Sequence, residues 1–132
     1  MRFSVYPAVA ALLLAAFPAV AHHSFSSEFD QNQPITLKGT VTKVEWMNPH
    51  TWFYVDVKDD QGKVTSWACE SGPPAMLGRN GWKKDSLKPG DMVTVQAYRA
   101  KDGSTNASAR LVTLSDGRKV FAGSADDRGP SN

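Results

Sequence analysis

The chain has 132 residues, with 15 Lys and Arg against 13 Asp and Glu, three histidines, one cysteine and a formal net charge of +2. A balance this close excludes the pronounced basic excess of a nucleic-acid binder, and a single cysteine excludes an intrachain disulfide framework. The length suits one domain with a single core.

Residues 5–21, VYPAVAALLLAAFPAVA, carry no charge, follow Arg2, and close on Ala19-Val20-Ala21 with small residues at −3 and −1. This is the layout of a secretory signal peptide. A membrane-spanning helix needs about 20 apolar residues; this run is shorter and contains Pro7 and Pro18. Cleavage after Ala21 is expected. It would leave an exported chain beginning at His22, without stable membrane insertion.

His22–Pro34 is polar apart from Phe25 and Phe29, and reads as an N-terminal arm that docks through those two rings. A β-barrel domain is expected over 35–122. Ile35, Leu37, Gly39 and Val41 share one strand face by period two, and the apolar phase then moves to Val44 and Trp46. Such a change of phase implies a bulge or bend, and the glycine fits a sharp coil of the sheet.

Asn48-Pro49 breaks this strand. The next, Thr51–Val57, sets Thr51, Phe53, Val55 and Val57 on one face, with His50, Trp52, Tyr54 and Asp56 on the other. Asp59-Asp60-Gln61-Gly62 is a hairpin turn into Val64–Glu70, which carries Trp67 and Cys69 in one phase. That phase makes Cys69 a buried small hydrophobe. Ala75-Met76-Leu77 predicts one or two helical turns, stopped by Asn80-Gly81. Strands follow at Met92–Ala100, Ala109–Leu114 and Lys119–Phe121, separated by turns at Lys88–Asp91, Lys101–Ser104 and Ser115–Arg118. The tail 123–132 is small and polar and is expected to be disordered. Five or six strands with one short helix between the third and fourth predict a mainly β, OB-type barrel. An SH3-like barrel is the alternative.

His22-His23-Ser24-Phe25, Glu28-Phe29-Asp30, Gly39-Thr40-Val41, Trp46, Asn48-Pro49-His50, Gly81-Trp82, Leu87-Lys88-Pro89-Gly90-Asp91 and Leu114-Ser115-Asp116-Gly117 occur in this order. Together they resemble a family of small exported bacterial proteins, the domain-of-unknown-function family 6152. The resemblance covers nearly the whole chain after residue 21. It implies a periplasmic or secreted protein of a Gram-negative bacterium, and no activity.

His22, His23 and His50 are candidate metal ligands. If His22 is the mature N-terminus, its α-amine and the Nδ1 of its own ring chelate one ion, and His50 supplies a third nitrogen. His23 adds a second ring or its amide. Amine and imidazole donors in a tetragonal set favour Cu(II), so copper is the expected metal. Zinc, with a carboxylate such as Glu28, Asp30 or Asp56, is the lesser version. The bland alternative makes His22 and His23 surface residues and His50 a strand-start residue bonded to a backbone carbonyl.

Trp46, Trp52 and Tyr54 form a candidate ligand or partner face, since the strand-two and strand-three side of an OB-type barrel commonly carries ligands. An unknown protein, a glycan or a small ligand is one occupant. The arm, folding back through Phe25 and Phe29, is the favoured other. No nucleophile elbow, phosphate loop or cofactor fingerprint appears. A binding protein is expected rather than an enzyme, with a structural envelope protein as the remaining class.

Overall fold

The computed structural model describes residues 28–123. The expected signal peptide 1–21, His22, His23, Phe25 and residues 124–132 lie outside the described residues. Six strands and a short helix follow in order: β1 (Phe29–Glu45), β2 (Trp52–Lys58), β3 (Val64–Glu70), α1 (Pro74–Arg79), β4 (Met92–Ala100), β5 (Asn106–Thr113) and β6 (Lys119–Phe121). Neighbouring strands run β3-β2-β1-β4-β5-β6, and a parallel contact between β3 and β5 closes the first five into a ring. This order, with the helix between β3 and β4, is that of an OB-type barrel.

β1 reaches around the ring because it serves two neighbours. Its first part pairs with β4, from Phe29↔Ala100 and Pro34↔Tyr98 to Thr40↔Met92, and its last part pairs with β2, from Thr40↔Asp56 to Glu45↔Trp52. The chain coils sharply where these pairings meet. At Gly39 a Cβ would sit 2.1 Å from the Asp56 carbonyl oxygen, so the close approach requires glycine. The expected change of phase is a register shift between Val41 and Lys43, which leaves Thr42 as the extra residue of a bulge.

Several boundaries differ from the sequence reading. The expected arm ends early, because Phe29–Pro34 already belongs to β1. This stretch hides its strand character in a register shift: Asp30 to Gln33 leave the ladder, and the Asp30 carboxylate accepts bonds from Asn32 N (2.9 Å) and Gln33 Nε2 (3.1 Å). β5 likewise begins at Asn106 rather than Ala109, since Asn106-Ala107-Ser108 pairs with Ala68-Cys69-Glu70 of β3. These small residues give little apolar periodicity, yet they close the barrel. Gly123 is also buried rather than part of a free tail; its carbonyl lies 2.9 Å from where a Cβ on Gly72 would stand.

The interior alternates as the strands require. Val41, Phe53, Val55, Cys69, Val95, Ala109 and Val112 point inward and are almost wholly buried. Leu77 of α1, Leu87 and Trp82 join the same core. Burial pushes the Cys69 thiol up to about 12, so it is an inert part of the packing. Two tryptophans staple the helical connection to the barrel. Trp46 and Trp82 meet edge to face at 6.2 Å. Trp46 Nε1 donates to Lys84 O at 3.1 Å, and Trp82 Nε1 donates to Phe121 O at 2.9 Å.

Candidate functional site

Alternation along β2 turns Trp52, Tyr54 and Asp56 away from the core side occupied by Phe53 and Val55. The ladders then decide their neighbours. Trp52 stands between Glu45 of β1 and Glu70 of β3, and Tyr54 stands between Lys43 and Ala68. The outer face of these three strands is thus a half-buried aromatic strip with a carboxylate on either side of its tryptophan.

His50 joins this strip from the β1–β2 loop, next to the Asn48-Pro49 break. Thr51 N donates to Gly72 O (3.2 Å) and Ser71 N donates to Thr51 O (2.8 Å), so the β2–β3 pairing continues past both strand ends and holds His50 beside Glu70. Nδ1 of His50 lies 2.7 Å from Oε1 of Glu70, with the two side chains 33% and 13% exposed. The partner is therefore a half-buried carboxylate and not the backbone carbonyl of the alternative sequence reading. In the tautomer that donates from Nδ1 to Glu70, the lone pair is on Nε2.

The other end of the strip is held by a second set of paired charges. Lys43 Nζ is 2.5 Å from Glu45 Oε1 and 5.6 Å from the Tyr54 ring centroid, while Tyr54 OH donates to Glu45 Oε2 at 3.1 Å. The hydrogen bond from Lys43, then that from Tyr54, holds the Glu45 carboxyl below its ordinary range. Burial, then the Glu45 hydrogen bond, raises the Tyr54 phenol. Lys43 and Glu45 are thus paired with each other, and His50 is paired with Glu70.

Of the sequence candidates, His50, Trp52 and Tyr54 come together on this face. Trp46 does not, because its ring packs against the core and Trp82. Phe29 does not cover the strip through its backbone either; it pairs with Ala100 of β4. Among the described residues no group of three or more His, Cys, Asp or Glu could hold a metal ion by itself. The expected ligands His22 and His23 lie outside them. Sequence reasoning missed Glu70 and Glu45. Their signal was available only through register: once Trp52 opens β2, hairpin pairing brings both carboxylates level with it.

Residues 10–109 match the family described as Family of unknown function (DUF6152). The chain belongs to this family. No curated protein and no solved structure matches it. This DUF6152 member thus has its site read from its own residues. Among the described residues, no helix is long and apolar enough to cross a membrane.

Proposed function

We propose that this protein is an exported copper-binding module, with His50, His22 and His23 as its nitrogen donors. The observation that carries the reading is the His50 Nδ1–Glu70 contact. Metal-ligating histidines typically donate their second ring N–H to a carboxylate, which fixes the tautomer and raises the basicity of the ligating nitrogen. Here that nitrogen is Nε2.

Chain reach supports the reading. Lys101 N donates to Glu28 O at 2.8 Å, anchoring the start of the described chain at the β4–β5 turn, and Thr105 O of that turn accepts from Ala68 N of β3 at 2.9 Å. Passing from β1 to β3 by way of β4 and β5 takes three strand spacings, about 14 Å. The segment 22–28 spans about 20 Å when extended, long enough to bring His22 to His50. Cleavage after Ala21 would give His22 a free α-amine, and amine plus imidazole donors favour Cu(II) over zinc. The leader that makes this cut also sends the protein to the periplasm or outside the cell. The role is binding and not turnover.

A second reading is favoured by Trp52. Trp46 and Trp82 spend their indole N–H groups on backbone carbonyls, whereas Trp52, among the described residues, makes no such bond and lies between two carboxylates. A protein, glycan or small-ligand partner stacking on Trp52 and Tyr54 would use the same face.

Intact mass and bound-metal analysis after export test the copper reading. The expected result is a chain beginning at His22 with one copper per chain, lost in His22→Ala and in His50→Ala. A different N-terminus, or copper retained in both variants, would overturn it. Metal-free protein captured by partners through Trp52 would favour the second reading.

A further inference from the structure

The wall of the barrel built from β4, β5, β6 and the first part of β1 carries a separate feature. Leu111 faces Gln96 and Ala109 faces Ala97, so β5 holds one extra residue, Arg110, at a register shift. Ala109 and Val112 on either side are fully buried, and the bulge turns two consecutive half-buried residues, Arg110 and Leu111, to the outer surface. The Arg110 guanidinium lies 5.3 Å from the Tyr98 ring centroid and 5.8 Å from that of Phe121. Its Nε is shielded from solvent and has no hydrogen-bond partner.

A groove of about 370 Å³ lies over this point, lined by Pro34, Thr36, Gln96, Tyr98, Leu111 and Phe121 beside Arg110. Among the described residues lining it there is no Asp or Glu. The two rings engage the guanidinium through its charge, and among the described residues its Nε–H, part of the fork that matches a carboxylate, has no hydrogen-bond partner. Among the described residues lining it, Arg110 is the one cation, and a partly apolar groove of this size around a cation suits an anion attached to an apolar body.

We propose that this groove binds a small organic acid, with its carboxylate on Arg110 and a single-ring apolar body against Pro34, Tyr98, Leu111 and Phe121. The occupant is chemically unlike a metal ion, and the groove is independent of the His50 site. Benzoate titrated into the full chain, followed by amide NMR shifts, tests it, with benzyl alcohol and inorganic phosphate as comparison probes. Benzoate is expected to shift Tyr98, Arg110 and Phe121 saturably, and each comparison probe to bind at least about tenfold more weakly, lacking either the charge or the ring. Arg110→Met keeps the stem between the rings and is expected to weaken benzoate by about ten- to a hundredfold. Arg110→Lys, which keeps the charge but loses the fork, also weakens it and serves if the methionine variant does not fold. Unchanged benzoate affinity in a folded variant would overturn the proposal, as would equal binding of benzyl alcohol. Binding that emerges only in the full chain carrying Asp126→Asn and Asp127→Asn would also overturn it, because the chain's own acidic tail would then be the occupant.

Discussion

The two walls of this barrel treat charge in opposite ways. On the β1–β2–β3 side, Lys43 pairs with Glu45 and His50 with Glu70, around Trp52 and Tyr54. On the β4–β5–β6 side, Arg110 sits between Tyr98 and Phe121 with no ion-pair partner among the described residues. Paired charges hold neighbouring groups in fixed orientation. An unpaired cation held by aromatic faces leaves donors directed outward. The first wall is therefore suited to presenting a donor atom, and the second to recruiting an anion.

The comparison breaks first at the strand that both walls share. Gly39→Ala would drive a Cβ to 2.1 Å from the Asp56 carbonyl, a backbone atom that cannot swing aside. We expect a loss of about 3 kcal/mol or more in chemical unfolding, with both faces disturbed together. A variant of native stability would show that β1 can run through the bend without this close approach.

A smaller effect lies in the core behind both walls. Burial raises the Cys69 thiol from 9.0 to about 12. Because the folded value exceeds the unfolded one, the contribution is fully present below pH 9 and is lost as pH rises toward 12. We expect about 1 kcal/mol less stability by pH 10 relative to pH 8 from this group, absent from the pH profile of Cys69→Ala. Identical alkaline slopes in the two proteins would contradict it.

The smallest effect is expected on the paired wall itself. Lys43 is exposed and its partner Glu45 keeps the Tyr54 hydrogen bond. Lys43→Met should shift the thermal midpoint by less than about 2 °C. A large loss would mean that the pair holds the strip together rather than merely compensating charge. Set against Arg110→Met, whose expected effect is on ligand affinity, it separates a structural pair from a binding cation.

Much of the fold was legible because period-two patterning reports which face is buried. The Val41-to-Val44 change of phase located the bulge, the alternation of Thr51, Phe53 and Val55 located the core face of β2, and the phase shared with Trp67 located Cys69 inside. The β5 extension was not legible, because Asn106-Ala107-Ser108 earns its place by parallel pairing with β3 and carries no apolar signal of its own. The early start of β1 was obscured by the excursion from Asp30 to Gln33. At the site, His50, Trp52 and Tyr54 were readable one strand at a time. Glu70 and Arg110 were not, since their roles arise from cross-strand register and a bulge. Trp46 was placed with the candidate ligand face because its contact with Trp82, well down the chain, leaves no trace in local spacing.

In the copper-binding proposal, Glu70 fixes the His50 ring so that Nε2 can ligate the ion. Copper(II) affinity of the mature protein, compared with Glu70→Gln by competition against a chelator, tests it most directly. The glutamine preserves size and removes the charged acceptor 2.7 Å from Nδ1. We expect a folded variant whose affinity falls about ten- to a hundredfold. Equal copper affinity in wild type and Glu70→Gln, or no copper binding by the wild-type protein, would contradict it.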